Sequence, residues 1–401
     1  LFKDLVVRKY GTNAPDFVRY YYYIFPFGLG LTLFTILEAY AWQLKKSILT
    51  NYLREIQFRV FTTLLIVLTF AGLITSFDLF IKLFSFTYLA IAAMLLASLV
   101  LGRHVSLTFS VSIVTRKFFR KILHLISFVY GGNMVFTISI VFDTIIIAAV
   151  LPDGLALAGI YTLAQNIASL IQAPQRGVIS SSIGPLSQAW KNKDLARINR
   201  IYHSSSINQL IFSVAMFALI WMNFNDAVLN FHLQHRYLEA AMVFFYIGLM
   251  RIVDMGTGVN SQIIVTSTFW RFDFITGIIL LALTLPLNYV FTKYYFGVTG
   301  PAIANLISLT VYNLIRYWFL YARFAMQPFS LKTLYTLLLG IGGYVLSYYV
   351  FRDMHGFAGM ILRSALFVFV FVSGVKWLEL SPDVKPVWQT MLKKLGIKKG
   401  D

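Results

Sequence analysis

Long apolar runs recur along nearly the whole chain, and short clusters of basic residues separate them. A bilayer core of about 30 Å is crossed by an α-helix of about 20 apolar residues, so the runs predict about eleven transmembrane helices. The sequence therefore predicts an all-α polytopic membrane protein. The predicted spans are residues 20–44, 60–74, 80–101, 123–150, 155–173, 207–224, 240–265, 272–290, 298–320, 331–350 and 357–377.

The composition excludes a water-soluble globular protein, because 58% of the residues are hydrophobic and 12% are charged, about half the charged share of a soluble domain. The chain has no cysteine, which excludes disulfide bonds and thiolate metal sites. Its formal net charge is +18, but no stripe of Lys and Arg follows a single element, so nucleic acid is not an expected partner. The histidines are scattered, and the sequence has no P-loop, no serine-hydrolase motif and no zinc spacing. We therefore expect a carrier rather than an enzyme, with no cofactor and no metal site.

Basic residues are concentrated in alternate loops, which predicts the orientation because cytoplasmic loops carry an excess of Lys and Arg. The C-terminus lies on the predicted cytoplasmic side, so an odd number of spans places residue 1 near the outer face. A bacterial membrane protein usually starts inside, and we therefore expect an N-terminally truncated chain in the bacterial cytoplasmic (inner) membrane. The basic residues of the predicted cytoplasmic loops include Lys45, Lys46, Arg54, Arg103, Arg116, Lys117, Arg197, Arg200, Arg271, Arg323 and Lys332.

Three stretches outside the spans have amphipathic spacing. Residues 114–124 and 381–399 place apolar residues on one helical face and basic residues around it, which favours helices lying on the inner leaflet. Residues 185–206 predict a cytoplasmic amphipathic helix that joins two spans.

Ionisable side chains inside a span are costly unless they are paired or hydrated, so each is a candidate functional residue. Arg251 and Asp254 are three residues apart on a predicted helix and share a face. They either neutralise each other as a structural pair, or Asp254 orients the guanidinium of Arg251 toward an anionic headgroup in a cavity. At Gly256 and Gly258 the helix can loosen or another helix can approach closely. The polar run continues with Asn260 and Gln262.

Asp143 is a single acidic residue within the predicted span 123–150, and Gly131, Gly132 and Asn133 interrupt the same helix about three turns earlier. A buried acid can bind a proton or a cation, or it can pair with a neighbouring helix. Both interpretations remain open for Asp143.

The next predicted span is polar along its length. Gln165, Ser169 and Gln172 follow the spacing of one helix face, and Asn166 lies beside them. A face with so many polar groups is expected to contact partner helices or water rather than lipid. Pro174 is expected to kink or end the span.

Two further predictions concern charged residues near span ends. Glu38 and Arg59 lie near the cytoplasmic ends of adjacent spans, and we expect them to pair or to extend toward the interface. Asn305, Asn313 and Arg316 mark another partly polar helix, in which Arg316 is expected at the inner interface.

Several segments carry a resemblance to a known family of carriers. The order and the amino-acid sequences of these segments resemble those of bacterial polysaccharide exporters. These exporters form the oligosaccharide flippase family within the multidrug/oligosaccharidyl-lipid/polysaccharide superfamily. The segments are IFPFG at 24–28, TILEAY at 35–40, NYLRE at 51–55, FDTI at 142–145, GIYTLAQNIA at 159–168, APQRG at 173–177, AWKNKDL at 189–195, MRIVDMGTGVN at 250–260, PLNY at 286–289 and GVTGPAIA at 297–304.

The resemblance implies a MATE-like fold with two six-helix lobes around a central cleft and two additional helices. The resemblance further implies that this chain is N-terminally truncated and lacks roughly the first three helices of that pattern. The implied domains are 1–115, the remainder of the N-terminal lobe with family helices four to six; 116–326, the C-terminal lobe; 327–380, the two additional helices; and 381–401, a cytoplasmic amphipathic tail.

The resemblance also implies a function: alternating-access export of an undecaprenyl-pyrophosphate-linked oligosaccharide for cell-surface polysaccharide, including lipopolysaccharide, biosynthesis. Its partners would be that lipid, the bilayer, H+ or Na+ as a coupling ion at Asp143, and glycosyltransferase or polymerase machinery. A cation-coupled multidrug antiporter of the same superfamily and a membrane scaffold without a hydrated cavity remain alternatives. The expected substrate-binding residues are Arg251, Asp254, Asn260, Gln262, Asn133, Gln165, Asn166 and Gln172.

Overall fold

The computed structural model describes residues 19–103, 105 and 113–381, without the side chains of residues 114, 125, 128, 129, 132, 133, 135–140 and 155. Every regular element in these ranges is helical, and each predicted span falls on at least one helix. The predicted all-α polytopic membrane fold is therefore confirmed. The principal helices are α1 (Ile24–Gln43), α2 (Phe58–Phe70), α3 (Phe77–Ser85), α4 (Thr87–Leu101), α5 (Ile113–Val150), α6 (Gly154–Ala168), α7 (Ala173–Lys191), α8 (Leu195–Asn230), α9 (Ala240–Gly256), α10 (Asn260–Val265), α11 (Trp270–Val290), α12 (Gly300–Phe324), α13 (Leu331–Val350) and α14 (Gly356–Trp377).

Six helical stretches of the described residues are long and apolar enough to cross a membrane. One of them, Trp270–Phe324, contains both α11 and α12 and so corresponds to two predicted spans. The predicted number is larger because α2, α6 and α9 are apolar but shorter, with 13, 15 and 17 residues, and because the described part of α5 contributes only the shorter apolar stretch Val141–Val150. The other five stretches are Tyr21–Gln43, Phe77–Leu101, Leu195–Asn230, Leu331–Val350 and Gly356–Trp377.

The chain divides into two compact units, Leu1–Ser112 and Ile113–Asp401. In the described part of the first unit, α1 packs along α4 around a small apolar core. The two helices approach closely at Gly30, where an added Cβ would lie 2.3 Å from the backbone nitrogen of Leu89. A glycine is therefore required at this crossing. The core contains Phe34, Ala41, Leu53, Ile91, Ala92, Leu95 and Leu99.

Glu38 has a different partner from the one the sequence predicted. Its carboxylate is buried and pairs with Arg54 at 2.7 Å, whereas Arg59 lies 3.6 Å from Glu55 on its own helical turn. The predicted Glu38–Arg59 pair is therefore wrong. Arg54 belongs to the π-helical segment Tyr52–Gln57, whose wider turn changes which side chains face α1.

In the second unit, α5, α6, α8, α9, α11 and α12 surround the largest apolar core. The last two helices, α13 and α14, pack on each other and on α8. Polar contacts inside the apolar helices fasten α14 to α8, because Arg363 donates to Asp226 and Asn223 Nδ2 donates to Ser364 Oγ at 2.9 Å. Both side chains of the Arg363–Asp226 pair are mostly buried. The predicted domain boundaries stay predictions.

Two predicted amphipathic segments are parts of longer helices. Residues 114–124 belong to the 38-residue helix α5, and the end of the stretch 185–206 belongs to the 36-residue helix α8. Neither is a separate helix, because polar composition marks where a helix leaves the apolar layer and not where its hydrogen bonds end. The tail predicted at 381–399 lies outside the described residues, apart from its first residue.

The polar span predicted at 155–173 ends earlier than expected. Helix α6 ends at Ala168, and a turn leads into α7, which has Pro174 in its first turn. A proline is tolerated there because the first helical N–H groups have no partner within the helix. Helix α7 runs to Lys191, and Asp194 caps α8 by accepting from the backbone N–H of Arg197 at 2.9 Å.

Candidate functional site

The candidate site is centred on a break between α9 and α10. Helix α9 ends at Gly256, and Gly258 has a positive φ of 63°. An added Cβ at Gly258 would lie 2.8 Å from Ser205 Oγ and 3.0 Å from the backbone nitrogen of Ser206. Ser206 Oγ donates to the carbonyl oxygen of Gly256, which the helix leaves without a partner. The two glycines therefore permit both the break and the close approach of α8.

Asn313 of α12 connects the two sides of this break. Its Oδ1 accepts from Asn260 Nδ2 at 2.9 Å and from Thr257 Oγ1 at 3.2 Å. Its Nδ2 donates to Asp254 Oδ1 at 3.3 Å, and Asp254 Oδ2 accepts from Gln175 Nε2 at 2.9 Å. Amides from two other helices thus hold the carboxylate of Asp254.

Arg251 lies in a small cavity of about 50 Å³, together with Asp254, Asp143 and Gln165. In the described ranges Arg251 forms no ion pair with Asp254, so the structural pair that was one interpretation of the sequence is not formed. The buried Nε of Arg251 has no hydrogen-bond partner, nor has Thr284 Oγ1 in the same cavity. The space suffices for a few water molecules, and both atoms are free to bind them.

Asp143 is almost completely buried, and side chains of three other helices donate to it. Tyr161 Oη lies 2.9 Å from Oδ2, Asn305 Nδ2 lies 2.6 Å from Oδ2, and Asn288 Nδ2 lies 2.6 Å from Oδ1. These hydrogen bonds offset the free-energy cost of removing the carboxylate from water. The opposite charge of Arg251 borders the same cavity.

A larger cavity of about 370 Å³ adjoins the small one, because Asp254 and Leu309 line both. Arg316 is buried at its wall, pairs with Asp273 and donates from Nε to Thr276 Oγ1 at 3.2 Å. The guanidinium carbon of Arg316 also lies 3.8 Å from the ring centre of Tyr312. The other polar residues at this cavity are Gln172, Gln175, Arg176, Asn260, Ser261 and Gln262.

The structure places the predicted substrate-binding residues in three groups. Arg251, Asp254 and Gln165 line the small cavity, and Asp254, Asn260, Gln262 and Gln172 line the larger one. Asn166 is exposed and lies outside both cavities. The side chain of Asn133 lies outside the described residues.

Several site residues were not assigned from the sequence. Arg316 was expected at the inner interface but is only 3% exposed, because Asp273 of α11 provides a partner inside the helical unit. A usable signal exists on α12, where Asn305, Leu309, Tyr312 and Arg316 recur at helical spacing and all line a cavity. Asn288 has no such pattern around it. Among the residues with described side chains, no group of three or more His, Asp or Glu could hold a metal ion.

Comparison with known proteins shows a similarity of fold to a solved structure. No family model matches the chain, and no curated protein sequence matches it. A solved structure of the lipid II flippase MurJ in an inward closed conformation is similar, with a TM-score of 0.63 and 13% sequence identity, over 87% of this chain and 71% of that chain. At this identity the similarity shows a shared fold. The chain is a polytopic all-α membrane protein with a fold similar to that of MurJ.

Proposed function

We propose that the chain belongs to a carrier that moves a lipid-linked oligosaccharide from the inner to the outer leaflet of the bacterial cytoplasmic membrane. The proposed substrate has an undecaprenyl pyrophosphate anchor, and the proposed role is cell-surface polysaccharide biosynthesis next to glycosyltransferase or polymerase machinery. The fold shared with a lipid II flippase supports this class of substrate. The proposal includes a cytoplasmic C-terminus and the domain boundaries at 115, 326 and 380.

The observation that carries the proposal is the pair of adjoining polar cavities inside a membrane-spanning helical unit. Polar and ionisable groups at membrane depth are costly, so they are retained where they face water or a polar substrate. The larger cavity has about 370 Å³, which lies in the range of ligand sites, about 300–1,000 Å³. It can hold a phosphate group or one or two sugar rings, but not a whole lipid-linked oligosaccharide.

The roles of the predicted residues follow from their cavities. Gln172, Asn260 and Gln262 offer amides to sugar hydroxyls in the larger cavity. Arg251 supplies a positive charge that Asp254 does not neutralise directly, since the amides of Gln175 and Asn313 hold that carboxylate. A phosphate can reach Arg251 only if the small cavity widens, as alternating access requires.

The other predicted site residues complete the proposal. Gln165 belongs to the small cavity beside Arg251. Asn166 would contact the substrate from the exposed face of α6, and Asn133 remains a sequence-based assignment.

Asp143 is the proposed site for a coupling proton or Na+. Its carboxylate is buried between four helices and borders a cavity with room for a few waters, so a small cation can reach it. Uptake of a proton or cation would compete with Tyr161, Asn288 and Asn305 for the same oxygens. Such competition would couple ion binding to the packing of α5 against α6, α11 and α12.

A second candidate is a cation-coupled multidrug antiporter. The observation in its favour is charge balance, because the two cavities are lined by three aspartates and three arginines. These are Asp143, Asp254 and Asp273, and Arg176, Arg251 and Arg316. The arrangement favours the lipid substrate: Asp273 is paired with Arg316, and amides occupy Asp254. Of the two unpartnered atoms that the described residues place at the small cavity, Arg251 Nε is a cationic donor and Thr284 Oγ1 is uncharged.

The test is transport by the native protein in proteoliposomes, with a fluorescent undecaprenyl-pyrophosphate oligosaccharide and, separately, a cationic dye. We expect the oligosaccharide lipid to be flipped, and Arg251→Gln to slow flipping about 10- to 100-fold, the value of a charge-assisted hydrogen bond of about 1.5–3 kcal/mol. Arg200→Gln is the matched control, because Arg200 is exposed and outside both cavities. An unchanged rate in Arg251→Gln would reject its role, and export of the dye alone would favour the antiporter.

A further inference from the structure

An apolar groove of about 810 Å³ lies on the outer face of α11 and α12. The same two helices line the larger polar cavity with other residues, Asp273 and Gly277 from α11 and Tyr312 and Arg316 from α12. The groove shares no lining residue with this cavity and is therefore separate from the proposed substrate site. Its walls are Phe272, Leu314, Ile315, Trp318, Phe319, Ala322 and Arg323.

The length of the groove matches one leaflet of a bilayer. Along α12 it extends from Leu314 to Arg323, a rise of about 14 Å at 1.5 Å per residue. Half of a hydrocarbon core of about 30 Å is about 15 Å. Trp318 is 64% exposed and Leu314 is 59% exposed, so the groove is open along its side. One hydrocarbon chain of a lipid can enter it sideways from a single leaflet.

The groove is apolar along its length and cationic at one end. Arg323 is in the last turn of α12, and its guanidinium carbon lies 5.6 Å from the ring centre of Phe269. Arg271 lies two residues after Phe269 in the chain, and its guanidinium carbon is 5.3 Å from the ring centre of Trp270. No acidic residue is among the walls that the described residues form. Guanidinium groups bind phosphate oxygens through paired donors, so this end suits an anionic headgroup.

We propose that this groove binds one acyl chain of an anionic phospholipid from the leaflet on the side of Arg323, with the lipid phosphate at Arg323 and Arg271. The chain lies against Trp318 and Phe319, and the headgroup remains at the membrane surface. An undecaprenyl chain is far longer than a groove of one-leaflet depth, which favours an ordinary phospholipid as the occupant. The site goes beyond the proposed transport activity and does not depend on it.

The proposal is tested by quenching of Trp318 fluorescence with brominated lipids. The chain is reconstituted in phosphatidylcholine vesicles that contain increasing fractions of brominated phosphatidylglycerol or brominated phosphatidylcholine. Because the chain has seven tryptophans, the signal of Trp318 is obtained as the difference between the native chain and Trp318→Phe. We expect half-maximal quenching at a lower fraction of the anionic lipid, by about fivefold for each of the two arginines.

Two variants distinguish the headgroup from the chain contact. Arg323→Gln should reduce the preference for phosphatidylglycerol about fivefold, because Arg271 remains, whereas Ala322→Phe should fill the groove and reduce quenching by both lipids. Arg200→Gln, an exposed arginine on α8, should change neither result and is the charge-matched control. If Arg323→Gln does not fold, Ala322→Phe still decides whether the groove holds a chain.

Three results would overturn the proposal. Equal quenching by both brominated lipids would remove the headgroup site, and full quenching in Ala322→Phe would place the lipid outside the groove. Relief of quenching by unbrominated undecaprenyl phosphate at a lower fraction than unbrominated phosphatidylglycerol would assign the groove to a prenyl chain. Because none of these measurements uses transport, their outcome is independent of the flipping assay.

Discussion

The hydrogen bond from Asn305 to the buried carboxylate of Asp143 allows a quantitative test of the site. A hydrogen bond to a charged group contributes about 1.5–3 kcal/mol, whereas side-chain hydrogen bonds between transmembrane helices average about 0.6 kcal/mol. The contact at 2.6 Å is short and its acceptor is buried. We therefore expect Asn305→Leu to lower the free energy of unfolding by about 2 kcal/mol.

The same substitution in an Asp143→Asn background separates the charge from the packing. With a neutral acceptor, the loss on Asn305→Leu should fall to about 0.6 kcal/mol. The coupling free energy between the two positions is then about 1.4 kcal/mol. Unfolding by SDS in mixed micelles, followed by circular dichroism, gives this value from the four proteins of a double-mutant cycle.

Asn223→Leu is the matched control for this cycle. Asn223 donates to the neutral acceptors Ser364 Oγ and Leu219 O and shares no partner with Asp143. Its effect should add to that of Asp143→Asn within about 0.5 kcal/mol. If Asn305→Leu is equally additive, the inference that Asp143 is a charged acceptor held by Asn305 is refuted.

Two further pairs of variants test the packing of the second unit. Gly258→Ala should lower the melting temperature by an amount equivalent to about 1–3 kcal/mol because of the positive φ and the contact with Ser205. Gly277→Ala should not lower it, because no atom lies within 4 Å of the added Cβ. An equal loss in both variants would contradict the requirement for glycine at the break. Arg363→Met should lower the free energy of unfolding by about 3 kcal/mol or more because it leaves Asp226 unpaired. Adding Asp226→Leu should recover most of this loss in the same unfolding measurement. A double variant as unstable as Arg363→Met would show that the broken ion pair is not the cause.

The positions of the helices follow from hydropathy because each apolar run must bury its backbone groups in a helix. The ends of the helices do not follow, as the residues 185–206 illustrate. Their polar composition predicts a separate cytoplasmic helix, yet part of the stretch belongs to α7 and part to α8. The helical backbone is interrupted at Lys193 and Asp194, inside the stretch, where Lys193 has a positive φ and Asp194 caps α8.

The charged residues of the site are visible in the sequence, because an ionisable side chain within an apolar run is exceptional. Their partners are not visible. Asn288 and Asn305 reach Asp143 from 145 and 162 residues away, and no local spacing relates them. For the same reason Arg316 was expected at the interface, since its position along α12 is predictable but the presence of Asp273 beside it is not. Single residues can thus be selected from the sequence, whereas their pairing depends on tertiary packing.

The length of α8 has a mechanical consequence. Its 36 residues form a rod of about 54 Å, about 24 Å longer than the hydrocarbon core of a bilayer. The excess includes the end that carries Arg197, Arg200 and His203. A rod of this kind amplifies movement like a lever, since a tilt of about 10° around its midpoint would displace a tip about 27 Å away by about 5 Å. Small rearrangements where α8 packs against other helices would then produce larger displacements at its ends.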